Sequence, residues 1–187
     1  MLLFGNYVGA TMNDIILRPL SLSDTEKIVK WRNDPAVKRN LYSQEELKPE
    51  QHIAYFEKKV KSGKCAQFVI VVDDNGDQTD IGTVFIKNID TTNHSGEYGI
   101  FIGEDTGRGK GYARLATEKI LKYGFEVLRL HRIFLTVMAD NIPAIKTYER
   151  AGFVREGIMR DEYLRVDGYV DIVMMSILDK EWISRGM

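Results

Sequence analysis

A glycine-rich basic turn constrains the fold of this chain more than any other stretch. Residues 108–113 read Arg-Gly-Lys-Gly-Tyr-Ala, and they lie between an alternating apolar run that ends at Gly103 and a long helical pattern that reaches about Leu128. The turn therefore joins a strand to the N-terminus of a helix. Gly109 and Gly111 lack a Cβ, so their backbone can turn tightly and approach a ligand closely.

The same turn favours an anion. The first turn of a helix leaves backbone N–H groups without internal partners, and the helix dipole is positive at that end. The side chains of Arg108 and Lys110 add positive charge. A phosphate or pyrophosphate suits such a turn best. A loop that binds no ligand can have the same composition, so the turn alone leaves both interpretations open.

Two common phosphate-binding motifs do not fit this turn. The P-loop requires Gly-Lys followed by Ser or Thr, whereas Gly109-Lys110 is followed by Gly111. The dinucleotide-binding fingerprint requires G-x-G-x-x-G or its alanine variant. Registers that start at Gly107 and at Gly109 both lack the third small residue. A dinucleotide-binding enzyme is therefore a distant alternative.

Size and charge narrow the class of protein. The chain has 187 residues, of which 44% are hydrophobic, and this suits one folded domain. Its formal net charge of -1 gives no indication of nucleic-acid binding. No apolar run approaches the roughly 18 residues that span a membrane. The apolar start has no basic segment before it, so we expect no signal peptide and a cytoplasmic protein.

The cysteine and the histidines indicate neither a disulfide nor a metal site. Cys65 is the single cysteine, and it begins an apolar run, which predicts a buried core thiol. His52, His94 and His131 are far apart and lack metal-ligand spacing. We therefore expect no bound metal.

Hydrophobic periodicity and turn signals predict strands alternating with helices. The predicted strands are residues 15–20, 66–72, 81–86, 96–102, 133–138, 163–166 and 169–177. The predicted helices are residues 23–31, 49–63, 110–128 and 143–150. Ser23 and Glu26 form a capping box at the first helix, and Ile53, Phe56 and Val60 give the second helix an apolar face.

These elements predict one mixed α/β domain with flanking helices. Three consecutive strands suit an antiparallel meander, and the strand–helix–strand unit that follows is normally parallel. Asp167-Gly168 predicts a closing hairpin with a type I′ turn. We assign residues 13–187 to the domain and residues 1–12 to an N-terminal extension, and either Met1 or Met12 is a suitable start.

A second motif follows the strand at 133–138. It reads Asn141-x-x-Ala144-x-x-x-Tyr148-x-x-x-Gly152-Phe153, and an N-capped helix that ends at a glycine explains part of it. Together with Arg108-x-x-Gly111-x-Ala113, it resembles the two signatures of the Gcn5-related N-acetyltransferases (GNAT). The order of elements resembles that fold over nearly the whole chain, with a mostly antiparallel sheet and a splayed parallel strand pair.

The resemblance implies a site for acetyl-CoA and no metal. Amides of the glycine-rich turn would hold the pyrophosphate, and pantetheine would lie between the splayed strands. Asn141 would contact the pantetheine arm or orient water. The implied contacts are Phe101, Ile102, Arg108, Gly109, Lys110, Gly111, Tyr112, Ala113, Asn141, Ala144 and Tyr148.

The resemblance also implies two catalytic residues. Tyr148 would place its hydroxyl at the thioester sulfur, and it would stay protonated because a tyrosine has a pKa near roughly 10 and a thiol near roughly 8.5. Glu97 would accept a proton from the amine, directly or through water. The alternatives are a packing role for Tyr148 and a solvated carboxylate or ion pair for Glu97.

The acceptor amine is less constrained. We expect it to enter over the first two helices and the final hairpin, where Trp31, Arg32 and Asn33 could bind a sugar nucleotide or a peptide end. The alternative is a core Trp31 and an Arg32 in a surface salt bridge. Glu45, Glu46 and Glu50 could attract a polyamine or form a solvated acidic helix start.

The chain resembles the branch of ribosomal-protein N-terminal, spermidine and amino-sugar-nucleotide acetyltransferases. Residues 123–128 resemble the polyamine enzymes, and residues 31–35 resemble the amino-sugar enzymes. This favours a small-molecule amine over a protein N-terminus. A non-catalytic acetyl-CoA or CoA sensor is the alternative from another class, and exposed sheet edges permit a homodimer.

Overall fold

A seven-stranded sheet runs through the computed structural model, which describes residues 15–74 and 76–185. The N-terminal extension expected at residues 1–12 lies outside the described residues. The strands are β1 Ile15–Pro19, β2 Cys65–Asp74, β3 Asp77–Asp90, β4 Ser95–Ile102, β5 Arg132–Met138, β6 Val154–Arg165 and β7 Gly168–Leu178. Their spatial order is β1-β2-β3-β4-β5-β7-β6.

The sheet contains the meander and the parallel pair that the sequence predicts. β1 to β4 are antiparallel neighbours, and β4 and β5 pair in parallel after the crossover through the long helix. β7 returns antiparallel to β5 and pairs with β6 in a hairpin. The mixed, mostly antiparallel fold is therefore confirmed.

Helices cover both faces of the sheet. They are α1 Thr25–Asn33, α2 Pro35–Lys38, α3 Pro49–Tyr55, α4 Tyr112–Lys122, α5 Ile142–Ala151 and α6 Asp179–Ser184. α3 and α4 continue as π-helical segments, Phe56–Val60 and Tyr123–Val127. No described helix is long and apolar enough to cross a membrane.

The start of α1 differs from the expected capping box at Ser23 and Glu26. The reciprocal contact forms earlier, where the Asp24 carboxylate accepts from the backbone N–H of Ser21 at 2.9 Å. Asp24 also pairs with Arg18 of β1. This tertiary ion pair fixes Asp24 in place, and a 3₁₀ turn at Leu22–Asp24 therefore precedes the helix.

The buried face of α3 also differs from the prediction. Ile53 is 43% exposed, whereas His52 is 3% exposed. Nδ1 of His52 lies 3.1 Å from the Thr25 hydroxyl. That hydroxyl donates to the carbonyl of Leu22, so it accepts from the His52 ring. The hydrogen bond to α1 turns His52 inward and moves Ile53 to the surface.

Two cores lie on opposite faces of the sheet. The larger core contains Tyr98 of β4 and Tyr148 of α5. The smaller core contains Trp31 of α1 and Val69 of β2, with Phe101 packed against it. Because side chains alternate along a strand, Tyr98 and Phe101 face opposite sides. Cys65 is buried, which confirms the predicted core thiol.

The final hairpin is confirmed, but its turn is not of type I′. Arg165 pairs with Gly168, so Val166 and Asp167 form the loop. Gly168 has a φ of 128°, whereas neither loop residue is among the described residues with positive φ. A type I′ turn needs positive φ at both central residues.

Candidate active site

The glycine-rich turn opens α4 as the sequence predicts. Gly109 and Gly111 have φ values of 73° and 83°, a left-handed region that strains residues with a Cβ. Gly111 is the N-cap of α4. Within the part of the chain that the structure describes, no backbone N–H of residues 109–113 donates a hydrogen bond. These free donors lie at the positive end of the α4 dipole and suit an anion.

The two basic side chains of the turn have different surroundings. The Arg108 guanidinium donates to the carbonyls of Ile102 and Gly103 at 3.4 Å and pairs with Asp105. It therefore ties the turn to the end of β4. The Lys110 side chain has no ion-pair partner among the described residues and stays available to an anion.

A gap opens between β4 and β5 beyond the turn. The two strands pair only at Ser95–Arg132, Gly96–Ile133 and Glu97–Phe134. β4 continues to Ile102 and β5 to Met138 without further pairing. This is the splayed strand pair that the family resemblance implies.

Backbone groups of β4 line one side of the gap. The N–H of Gly103 bonds to Ile81 of β3, so alternate residues including Phe101 direct their backbone groups toward β3. The groups of Ile102 therefore point away from β3. In this register Ile102, rather than Phe101, directs its backbone groups away from β3, and because its carbonyl accepts from Arg108, its N–H is the group presented to the gap.

Tyr148 reaches the gap from α5. Its ring packs edge-to-face on Tyr98, with centroids 5.5 Å apart, and also contacts Phe153. The residue is 9% exposed. Its hydroxyl makes no hydrogen bond with a described residue, yet it is not among the fully buried unpaired atoms. Burial raises the pKa of the Tyr148 phenol above its usual value, so the hydroxyl stays protonated.

The start of α5 sets the position of Tyr148. The Asn141 side chain accepts from the N–H of Ala144 at 3.3 Å, which is the expected N-cap. Ala144 packs against the larger core. At the other end, Gly152 terminates the helix with a φ of 107°. Both ends of the helix are fixed, so the Tyr148 ring is held against β4.

Glu97 occupies the last paired position before the gap. Its carboxylate pairs with Lys87 at 3.0 Å and accepts from the Asn88 amide at 2.9 Å. Strand alternation places it on the sheet face opposite Tyr98 and Tyr148. The structure therefore shows the ion pair, and the catalytic base remains a prediction for Glu97.

The three residues expected to bind the acceptor have separate environments. Trp31 is 1% exposed, and its indole N–H donates to Glu104 at 2.7 Å. A Cβ on Gly103 would lie 2.1 Å from Trp31 Cγ, so the indole packs directly against the β4 backbone. Trp31 is therefore a core residue and presents no ring face to a substrate. The Asn33 amide is also occupied, because it exchanges two hydrogen bonds with the backbone of Leu47.

Arg32 differs from its neighbours. Its Nε is buried without a hydrogen-bond partner, and no described carboxylate pairs with it. Burial lowers the pKa of the guanidinium, and the nearby Tyr55 phenol opposes this effect. The surface salt bridge considered for Arg32 is absent among the described residues.

Tyr42 is a residue of this region that the sequence did not point to. It follows α2, and its ring packs edge-to-face on Tyr163 of β6, with centroids 5.5 Å apart. Burial raises the pKa of its phenol, and a hydrogen bond with Thr136 of β5 opposes that rise. The charge of Glu97 is close enough to contribute. An isolated tyrosine in a polar loop gives no local signal for such contacts.

A cleft of about 790 Å³ lies beside the gap. It separates the end of α2 from the β5–α5 junction and the final hairpin, with Lys38, Arg39, Asp140, Asn141, Arg165 and Asp167 in its lining. Arg165 pairs with both Asp140 and Asp167. No group of acidic, histidine or cysteine residues suited to a metal ion occurs in residues 15–74 and 76–185.

Comparisons with known proteins agree with this geometry. The Acetyltransferase (GNAT) domain matches residues 14–154. The chain is 30% identical over 178 residues to the Uncharacterized N-acetyltransferase p20 of Bacillus licheniformis, an alignment that covers 90% of this chain and 94% of that protein.

Two solved structures of spermidine N-acetyltransferase from Vibrio cholerae are also similar. One is a complex with CoA and spermine, with a TM-score of 0.83 and 27% identity over 90% of this chain and 98% of that chain. The other is a dodecameric structure in an intermediate state, with a TM-score of 0.78 and 27% identity over 92% and 98% of the two chains.

The family match covers most of the chain, and the gap with its glycine-rich turn and tyrosine is the feature that the family resemblance required. The chain belongs to the GNAT acetyltransferase family and is an N-acetyltransferase that uses acetyl-CoA.

Proposed function

We propose that this enzyme acetylates a primary amine of a small molecule, with a polyamine as the first candidate. One observation carries the proposal: free backbone donors on α4 and the Tyr148 hydroxyl adjoin the same gap between β4 and β5. The polyamine is supported by the similarity to spermidine N-acetyltransferase from Vibrio cholerae.

Acetyl-CoA would bind along the gap. The N–H groups of residues 109–113 would hold the pyrophosphate, with Lys110 as the adjacent cation. The backbone N–H of Ile102 would pair with pantetheine, because the register directs it away from β3. Asn141, which caps α5, would lie beside the same arm. Arg108 would act mainly by holding the turn against β4.

Tyr148 would act as the general acid. When the amine nitrogen attacks the acetyl carbonyl, the C–S bond breaks and its electron pair moves to sulfur. Tyr148 would donate its proton to that sulfur. Burial raises the pKa of this phenol, which keeps the proton available at neutral pH.

Glu97 would remove the second proton through water. An attacking amine must be neutral, and after attack it loses a proton. Glu97 lies at the last paired position before the gap, on the sheet face opposite Tyr98, where we expect the acceptor amine to enter. Its contacts with Lys87 and Asn88 hold the carboxylate in place, so a bridging water would complete the path.

A second candidate is an amine that also carries a carboxylate. The specific observation is Arg32, a largely enclosed guanidinium without a described carboxylate partner. Lys38 and Arg39 line the cleft, and neither pairs with a described carboxylate. Such cations would repel a polyamine and attract an amino acid or a peptide. A protein N-terminus therefore remains an alternative acceptor.

The proposal extends to assembly and location. A homodimer is supported by apolar side chains exposed along the β6–β7 hairpin, such as Ile158, Leu164 and Tyr169. The dodecameric Vibrio cholerae structure shows that a similar chain assembles. A cytoplasmic location is supported by the free thiol of Cys65.

Thiol release from acetyl-CoA tests the function directly. The panel contains spermidine, amino-sugar nucleotides, free amino acids and short peptides with free N-termini. Release with spermidine alone supports the polyamine, and release with amino acids alone supports the second candidate. Release with none of them, while acetyl-CoA still raises the melting temperature, would contradict the proposed acceptors and favour a sensor.

A further inference from the structure

The smaller core ends at β4 and leaves the same face of the next strands uncovered. Its described members come from the chain between Leu20 and Val71 and from Phe101 of β4, and no residue of β5, β6 or β7 is among them. The helices α4, α5 and α6 pack on the opposite face, since each contributes a side chain to the larger core. Side chains of β5, β7 and β6 that share the face of Glu97 therefore lie outside both cores.

A groove of about 350 Å³ lies on this part of the sheet. Its lining includes Phe134 and Thr136 of β5, Met174 of β7 and Met159 of β6. The β5 residue between Phe134 and Thr136 is buried in the larger core, so alternation directs these two side chains to the face of Glu97. The aromatic ring and both methionines are partly buried, and they give the groove an apolar surface.

One end of the groove adjoins the gap between β4 and β5. Phe134 pairs with Glu97, which is the last position at which the two strands are paired. Thr136 lies two residues further along β5, where the strands have separated, and it is the partner of Met174 across β5 and β7. The groove therefore begins at the place where an amine would attack the acetyl group.

An ion pair closes the other end of the groove. Arg132 donates to the two carboxylate oxygens of Glu156 at 2.9 and 2.7 Å, and the Ser176 hydroxyl donates to the same carboxylate at 2.7 Å. The guanidinium carbon of Arg132 also lies 5.5 Å from the centroid of the Phe134 ring. The two charges match each other, and the four residues from Arg132 to Thr136 span roughly 13 Å of mainly apolar surface.

We propose that this groove binds the hydrocarbon chain of the acceptor and places the reacting amine at its Thr136 end. Phe134, Met159 and Met174 contact the methylene groups, and the methionine side chains are flexible enough to follow the chain. This inference rests on the proposed function. Among the proposed acceptors it favours an amine on an unbranched methylene chain, as in a polyamine, over an amino-sugar nucleotide or an amino acid.

The groove selects an acceptor by the length of its chain. Each methylene group that leaves water for the apolar surface should tighten binding by about twofold to fourfold. A bound chain also restricts the amine to the gap, which raises the fraction of productive encounters with the acetyl carbonyl. A compact hydrophilic amine gains neither effect.

The series n-propylamine, n-butylamine, n-pentylamine and n-hexylamine tests the groove, because these amines differ in length and carry the same charge. Titration calorimetry on the CoA-bound protein gives their dissociation constants without any need for turnover. We expect Kd to fall by about twofold to fourfold for each added methylene. Dissociation constants that do not change with length, or an n-hexylamine that does not bind, would overturn the proposal.

Met174→Gln keeps the length of the side chain and removes its apolar end. Met174 is only partly buried, so the melting temperature should change little. Binding of n-hexylamine should weaken by about fivefold to tenfold, and that of n-propylamine by less than about threefold. Met159→Gln repeats the measurement from β6. Ile183→Gln is the matched control, since Ile183 is 72% exposed on α6, which packs on the opposite face, and this variant should retain wild-type constants.

Binding and activity distinguish the two levels of the argument. If the enzyme acetylates an amine and Met174→Gln keeps the wild-type dependence on chain length, the groove is refuted while the function stands. If no amine of the panel is acetylated, the proposed function fails, and the calorimetric series still decides whether the groove binds alkyl chains. A wild-type series without length dependence, together with a Met174→Gln variant that separates a dimer into monomers, would make the groove an interface between copies of the chain.

Discussion

The two sides of the gap between β4 and β5 are built from different parts of the chain. The proposed coenzyme side consists mainly of backbone groups: free N–H donors of the turn before α4 and the strand edge at Ile102. The proposed acceptor side consists of side chains from distant segments, with Arg32 on a helix and Glu97 on a strand. A backbone site depends on local conformation, whereas a side-chain site depends on how the elements pack.

The largest expected effect comes from Tyr148, the side chain proposed to take part in the chemical step on the coenzyme side. Tyr148→Phe removes the proposed general acid and keeps the ring on Tyr98. We expect kcat to fall by about 10²- to 10⁴-fold, with acetyl-CoA affinity nearly unchanged. Steady-state kinetics and acetyl-CoA titration measure the two quantities.

Tyr98→Phe is the control for this prediction. The Tyr98 hydroxyl bonds to Thr117 at 2.7 Å within the core, so its loss should cost about 1 kcal/mol of stability and little activity. A Tyr148→Phe enzyme at the wild-type rate would make Tyr148 a packing residue. A protein that never turns over, and whose acetyl-CoA response survives Tyr148→Phe, would be a sensor.

The second-largest expected effect tests whether Trp31 is a core residue rather than a substrate-binding residue. Trp31→Ala removes an indole that packs against β4 at Gly103. We expect the free energy of unfolding to fall by about 3–5 kcal/mol, as for other large core residues. Arg32→Met is the neighbouring control, and it should change stability by less than about 1 kcal/mol, since Arg32 is only partly buried and pairs with no described carboxylate.

Denaturant unfolding measures the stability of both variants. Steady-state kinetics then compares their KM values for the two classes of acceptor. Arg32→Met should raise the KM of a carboxylate-bearing acceptor and leave that of a polyamine unchanged or lower. A Trp31→Ala protein with wild-type stability and weak acceptor binding would restore Trp31 as a substrate residue.

The glycine-rich turn could be predicted from the sequence, whereas the environments of Trp31 and Arg32 could not. Gly109 and Gly111 take positive φ values, a requirement that restricts residue type at single positions and can therefore be recognised in the sequence. The meander, the parallel crossover and the final hairpin followed from periodicity and short connections, whereas the position of β7 between β5 and β6 did not. Trp31 and Arg32 are neighbours on one helix, and only contacts with β4 decide which one is buried.

His52 and Tyr42 make the same point at longer range. His52 is turned inward by the Thr25 hydroxyl of α1, and Tyr42 is positioned by Tyr163. Neither residue lies in a local pattern that requires these partners. The acceptor side is therefore predictable only after the fold is known.

The third-largest expected effect concerns Gly111 and the affinity for acetyl-CoA. Gly111→Val places a β-branched residue at a φ of 83°, where no atom lies within 4 Å of the added Cβ. The strain is therefore conformational, about 1–2 kcal/mol, and we expect roughly tenfold weaker acetyl-CoA binding. Isothermal titration with acetyl-CoA measures this change.

Gly63→Val is a matched control, because Gly63 has a φ of 76° and equally open surroundings but follows the α3 segment. It should lose similar stability and bind acetyl-CoA normally. Equal weakening in both variants would show that general destabilisation, rather than the turn, controls affinity.

The smallest expected effect is a pH dependence of the free energy of unfolding that comes from His52. Burial lowers the pKa of His52 below its usual value, Arg32 lowers it further, and Asp24 opposes both. The unfolded chain therefore binds a proton at a higher pH than the folded chain. As pH falls below about 6.5, the free energy of unfolding should decrease, by at most about 1.4 kcal/mol for each unit of pKa depression.

His52→Gln should reduce this slope between about pH 7 and pH 5 because it removes the titrating ring. His94→Asn is the control, since His94 is exposed at a φ of 50° that asparagine tolerates. Urea unfolding at each pH gives the slopes, and subtraction from wild type removes the carboxylates that titrate in the same range. An unchanged slope in His52→Gln would mean that the pKa of the ring is the same in the folded and unfolded chains, which would contradict a lowered pKa for His52.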